Sequence, residues 1–315
     1  MRVFISHQSA LEYWRILLTL PHGSAQRRCR ATLSDSSTAI KQIELPGKFK
    51  LPLHIMLGKP ETRWKTPSMK QHVFTGRTHD GCFINIDDKL FVSSPEFCFL
   101  QLAGKITLLR LITIGYELCG TYSIPAAKDK NAPKKGFYNR RPLTSTKKIA
   151  AFLARMPGVK GHQKAMRALR YILDDSASPM ETNLAIILTL PYKLGGFGFI
   201  RPELNKRIVL SKTDKPFSDK MSYVCDLFWP DYGLAVEYDS ALFHAGQKQI
   251  AEDSQKRTAL AMMGVMVLTV TKQQIYDEKE FEKTTRAIAT CLGKRLAFKN
   301  PGFRTAHLEL REQLL

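Results

Sequence analysis

Two short apolar runs, Tyr223 to Phe228 and Leu234 to Tyr238, flank the pentapeptide Trp229-Pro-Asp-Tyr-Gly233. Pro at the second position presets φ for a tight turn, and Gly at the end tolerates the backbone that closes it, so the segment is expected to be an antiparallel hairpin. An isolated hairpin is marginal in water and needs further strands or a helix against it. The flanking sequence supplies them. Before the hairpin lies SPMETNLAIILTL, a helical run; after it come KQIAEDSQKRTALAMMG as helix, VMVLTVT as strand and EFEKTTRAIATCLG as helix, with Gly264 as a helix C-cap. That alternation predicts a small α/β domain with a mixed sheet flanked by helices.

The hairpin also places charge. If pairing is symmetric about Asp231 and Tyr232, Asp226 and Glu237 lie directly opposite, with Cβ atoms about 5 Å apart. Asp239, two positions on, shares the Glu237 face by the period-2 rule. Three anions at that range repel and raise one another's pKa unless a cation offsets them. A hard divalent ion such as Mg²⁺ (or Mn²⁺) does so with oxygen ligands, and it also activates water and stabilises charge on a phosphodiester. His244, just past the strand, is then a candidate proton donor or acceptor. The bland alternative stays open: Asp226 and Glu237 facing solvent beside Lys or Arg, and Asp239 initiating a turn. Glu181 has two readings as well. In Ser178-Pro-Met-Glu181 it completes a capping box, and a helix start beside the hairpin also aims it at the same site. Lys256 and Arg257, on the next helix, are candidates for stabilising phosphate charge.

A chain of 315 residues is long for a single core, so two domains are expected. No apolar run reaches the roughly 18 residues of a membrane span, and the N-terminus reads as a short helix rather than a signal peptide. Upstream, segments 50–57, 70–76 and 81–93 are strand-like. SPEFCFLQLAGKITLLRLITIGYEL then starts a helix at Ser94-Pro95 and breaks near Gly104. This gives an α+β domain over 1–125. His7, His22, His54, His72 and His79 are dispersed in the sequence, and structural or surface roles are expected for each. The six cysteines show no C-x-x-C pair and read as reduced thiols of a cytoplasmic protein.

The net charge of +20 favours a polyanionic partner. Between Lys128 and Arg170 stand 13 Lys/Arg against one acid, Asp129, more than half of that surplus. The first part is rich in Pro, Gly and Asn and reads as an exposed loop; TSTKKIAAFLARM and GHQKAMRALRYIL read as basic amphipathic helices. Residues 126–170 are thus expected to be a basic loop and helical connector. Lys134, Lys135, Arg140, Arg141, Lys147 and Lys148 are its candidate nucleic-acid contacts, with Phe137 and Tyr138 able to stack on bases. A solvated linker is the alternative.

The order SPMET, CDLFWPDYGLAVEYDSALFH, EDSQKRTALAMMGVMVLTVT resembles the endonuclease-like domains related to the very-short-patch repair endonucleases, a branch of the PD-(D/E)XK restriction-endonuclease superfamily. The resemblance covers residues 170 to 295, inside a domain expected over 171–315. It implies a restriction-endonuclease-like mixed sheet, Asp226 as the metal-binding Asp, Glu237 as the second acid and Glu181 as the first-helix acid. His244 matches the repair enzymes' second active-site His. Asp239 stands where most of the superfamily has Lys and the repair enzymes have a catalytic His, a departure that bears on catalysis rather than fold. The stretches LPLHIML, KLFVSSPEFCFLQLA and IGYEL more weakly resemble the AbiEi-type antitoxins and regulators of bacterial abortive-infection systems. Together these imply a bacterial Mg²⁺-dependent endonuclease acting on double-stranded DNA in defence or repair. The alternative they leave is a non-catalytic DNA-binding regulator with a degenerate nuclease fold.

Overall fold

The computed structural model describes residues 2–16, 28–29, 31, 33, 36, 49–60, 63, 66–124, 138–210, 220–239, 247–296 and 301–315. The chain forms two compact units, Met1–Ile172 and Leu173–Leu315. Both combine helices with a mixed sheet, as an α/β chain should. No helix among the described residues is long and apolar enough to cross a membrane.

In the first unit, β1 (Val3–Ile5) leads directly into α1 (His7–Ile16), so the start of the chain is a strand and a helix rather than a helix alone. β1 is buried on both sides, between a parallel neighbour, β6 (Leu90–Ser93), and an antiparallel one, β3 (Leu53–Leu57). The sheet order is β2–β5–β6–β1–β3–β4, with β2 at Arg28–Cys29, β4 at Met69–Val73 and β5 at Phe83–Asn85. The 81–93 segment is therefore two strands. Asp87 turns the chain between them, its carboxylate accepting from the Lys89 and Leu90 amides at 2.7 and 2.8 Å.

The helices start where the caps are. Ser94 caps α2 (Pro95–Ala103), which ends at Gly104, and Thr107 caps α3 (Leu108–Cys119). In each case the hydroxyl takes an N–H that the helix leaves unpaired. The basic helices α4 (Thr146–Ala154) and α5 (His162–Leu169) do not hang between the two units. They pack on α2 and α3 inside the first, with Ile149, Phe152 and Leu153 fully buried. A separate connector over 126–170 is thus replaced by a boundary at Ile172, because the apolar face of α4 needs α2 to cover it.

In the second unit, α6 (Pro179–Thr189) is buried through Leu184, Ala185, Ile186, Ile187 and Leu188. The sheet order is β10–β9–β8–β7: β7 (Glu203–Val209) pairs antiparallel with β8 (Ser222–Trp229), β8 antiparallel with β9 (Leu234–Asp239), and β9 parallel with β10 (Met266–Thr271). Helix α7 (Gln247–Met262) makes the crossover that a parallel pair requires. Its Ala259 and Leu260 pack on Cys225, Phe228 and Ala235. Short α8 (Lys272–Tyr276), then α9 (Glu278–Cys291) and α10 (Pro301–Leu314), complete the unit.

Candidate metal and phosphodiester site

The hairpin register is the symmetric one: Trp229 faces Leu234, Phe228 faces Ala235 and Leu227 faces Val236. The turn is a single 3₁₀ turn over Pro230–Tyr232, closed by Gly233 at φ +52°. A Cβ there would meet the Gly264 carbonyl oxygen at 2.5 Å. Beyond Leu227 and Val236 the regular ladder stops, and the site begins. The Asp226 carboxylate accepts from the Tyr238 amide at 2.8 Å, tying the end of β9 to β8 by a side chain where a backbone bond would have stood.

On the other side of β8 the ladder skips the same level. Leu204 faces Leu227 and Lys206 faces Cys225, but Asn205, between them, sits at φ +48°. Asn tolerates this left-handed backbone better than most residues. Its amide donates to Glu181 at 2.7 Å and to the Asp175 carbonyl at 2.9 Å. Ser178 caps α6 by accepting from the Glu181 amide at 3.2 Å, while the Glu181 carboxylate accepts from the Ala177 amide at 3.0 Å. The capping box is thus shifted by one residue: Glu181 reaches back past the N-cap to Ala177. It caps and faces the site together, being close enough to Asp226 to disfavour that carboxylate's charge.

Glu237 meets a cation. Lys256, from α7, places its ammonium 2.8 Å from Glu237 Oε2 and 2.7 Å from the Val224 carbonyl. Glu237 Oε1 is buried with no hydrogen-bond partner among the described residues. Burial, then Glu237, then Glu181 push the Asp226 carboxyl up to about 7, against the Tyr238 amide and Lys256, which favour its charged form. The Cys225 thiol, beside Glu237, is pushed up to about 12, chiefly by burial, and stays protonated.

The three-carboxylate set is the correction. Asp239 lies opposite Thr271 on β10, at the end of a ladder that is regular from Leu234, and among the described residues no group of three or more His, Cys, Asp or Glu side chains is gathered closely enough to hold an ion. Alternation puts Glu237 and Asp239 on one face of β9, but sharing a face two positions apart does not bring carboxylate oxygens to one point. The carboxylates that act on one another are Asp226, Glu237 and Glu181, the last two raising the Asp226 carboxyl. His244 lies outside the described residues.

The remaining predicted contacts divide. Arg141, Lys147, Lys148 and Arg257 are exposed, and Tyr138 is half exposed. Lys134, Lys135 and Phe137 lie outside the described residues. Arg140 is not a surface contact. It is buried, its guanidinium donating to the carbonyls of Glu117 and Tyr122, beside a buried Arg15–Glu117 ion pair of 2.6 Å. Burial lowers its pKa, and its role is to anchor the segment onto the end of α3. Asn205 as a positioning residue carried no sequence signal, and of the Lys or Arg expected beside Glu237 the structure supplies Lys256. The only available signal for Lys256 was its place on the helix that must cross over the sheet.

Two of the side chains present are of the type that holds a divalent ion. Asp226 and Glu237 are hard oxygen donors beside one ammonium, that of Lys256, and Glu237 Oε1 is buried without a hydrogen-bond partner among the described residues. Mg²⁺ takes one or two carboxylates and completes its shell with waters and phosphate oxygens, so two suffice. No family model, curated protein or solved structure matches this chain.

Proposed function

We propose that the chain is a metal-dependent endonuclease that hydrolyses DNA phosphodiester bonds in the bacterial cytoplasm, with the site on β8, β9, α6 and α7 of the second unit. The observation that carries this reading is the set Asp226, Glu237 and Lys256: two carboxylates able to hold Mg²⁺ or Mn²⁺, with an ammonium fixed 2.8 Å from one of them. When bound, the ion supplies a Lewis acid for the phosphoryl oxygens and lowers the pKa of a water. Asp226 and Glu237 would hold the ion. Lys256 provides the cation missing at position 239, beside the reacting phosphate, where it stabilises the developing negative charge. Asn205 and Ala177 fix Glu181, which keeps the pocket acidic. His244 is the candidate proton carrier on sequence grounds. The exposed Arg141, Lys147, Lys148 and Arg257 attract the duplex backbone.

A second reading, a DNA-binding regulator with a degenerate nuclease fold, is favoured by one observation: position 239 carries Asp in place of the expected lysine, and among the described residues no three acidic or histidine side chains gather. One assay separates them. Full-length protein is incubated with supercoiled plasmid and linear duplex in Mg²⁺ or Mn²⁺, beside Asp226→Ala and Lys256→Ala. Nicking that both variants lose supports the enzyme. Salt-sensitive binding with intact DNA in either ion supports the regulator.

A further inference from the structure

The first unit holds a cavity of about 1200 Å³ that the hydrolase reading does not use. Its described lining carries six cations, Arg63, Lys70, Arg77, Lys105, Arg155 and Lys160, and no carboxylate. All six are exposed, and none forms an ion pair with a described residue. Like charges gathered round one hollow repel, and a polyanion relieves that repulsion.

The inner wall is aromatic and neutral. His7 and His72 line it, their rings stacked at 3.6 Å with 19° between planes, and His54 stands next to His72, its Nδ1 3.2 Å from His72 Nε2. His7 is held by its backbone, with φ +49° and its amide donating to Gln101 at 2.9 Å. Burial and the charges of Lys70 and Lys105 lower all three, with neighbouring histidines adding to the effect on His7 and His72; His54 falls to about 4 and His72 to about 3, so they present uncharged rings at neutral pH. Stacked rings do not converge on one ion, in keeping with the absence of a metal-holding group among the described residues. Phe74 and Phe97 extend the ring surface.

Flat neutral rings inside and cations at the rim select a ligand that is itself a flat ring with phosphate attached. We propose that this cavity binds single-stranded nucleic acid, with bases against His72 and Phe74 and phosphates against Lys70 and Lys105. A duplex keeps its base faces stacked inside the helix and offers none to such a wall, whereas a single strand offers one per nucleotide. The volume exceeds the roughly 300–1000 Å³ of small-ligand pockets, which leaves room for more than one nucleotide. Arg155 and Lys160 come from the turn between α4 and α5, so part of the basic segment singled out in the sequence serves this cavity.

The test uses the full-length chain in EDTA, where hydrolysis does not interfere, and so it stands or falls apart from the nuclease reading. Anisotropy is measured with a fluorescent ten-nucleotide single strand, as DNA and as RNA, and with a ten-base-pair duplex. At least one single strand should bind more tightly than the duplex. Lys70→Ala/Lys105→Ala should weaken strand binding at least about 10-fold and reduce the slope of log K against log salt by about 1.4, the loss of two single-strand phosphate contacts. His72→Ala should weaken it about 10-fold with the slope unchanged, since stacking releases no counterions. Equal binding of strand and duplex, an unchanged slope in the double lysine variant, or displacement by free mononucleotide at strand-like concentrations would each overturn the proposal.

Discussion

At the scale of single residues, Asp226 carries an energetic signature that can be read without substrate. Its carboxyl is pushed up to about 7, first by burial and then by Glu237 and Glu181. Between the ordinary carboxylate value near 4 and about 7, the folded chain binds a proton that the unfolded chain has lost, so stability falls as pH rises across that window. Asp226→Asn removes the charge and keeps an acceptor for the Tyr238 amide. It should exceed the wild type by about 2 kcal/mol at pH 8 in metal-free urea denaturation, and the gap should close by pH 4. A gap independent of pH would mean that the substitution acts through packing. Lys256 is the opposite case, since truncating it strands the half-buried Glu237 carboxylate, whose Oε1 has no hydrogen-bond partner among the described residues. Lys256→Met should cost about 2 kcal/mol, and Glu237→Gln/Lys256→Met should recover most of it, measured as a double-mutant cycle.

At the scale of elements, the hairpin was legible because its determinants are local: Pro230 and Gly233 set the turn, and the turn sets the register of Leu227 against Val236. Gly233→Ala tests this. It imposes a left-handed backbone on a residue with Cβ and drives that Cβ to 2.5 Å from the Gly264 carbonyl. A loss of at least about 2 kcal/mol is expected, seen as a lower denaturation midpoint with an unchanged slope. The caps at Ser94 and Ser178 were legible for the same reason. What escaped was non-local. β7 reads ELNKRIV, too polar and too exposed on one face to announce a strand, and it becomes one only by pairing with β8. The three-carboxylate cluster was expected from alternation, which sets Glu237 and Asp239 on one face of β9 without bringing their oxygens to one point, and Asn205, with its left-handed backbone and its bonds to Glu181 and Asp175, had no local signal. His7, His54 and His72 are dispersed over more than sixty positions and meet only because β1, β3 and β4 are neighbours in one sheet.

At the scale of the molecule, each unit has its own sheet, its own buried helix and its own candidate binding chemistry, a set of interacting carboxylates in the second and a cationic cavity in the first. Charge of opposite sign in separate cores predicts separable responses to ligands. A metal ion that binds only the folded second unit stabilises it by about 2.7 kcal/mol at a hundredfold excess over Kd, or about 5–10 °C for a domain of this size. Residues 173–315 produced alone should therefore melt in one cooperative transition that Mn²⁺ moves upward by that amount, and more strongly at pH 8 than at pH 6 because the ion must displace the proton on Asp226. Residues 1–172 should not respond to the ion, and Asp226→Ala should abolish the response of the second fragment. Scanning calorimetry of both fragments with and without Mn²⁺ measures this directly. A shift of equal size in residues 1–172, or one that survives Asp226→Ala, would show that the ion binds the protein elsewhere and would remove the physical basis for metal-assisted hydrolysis at this site.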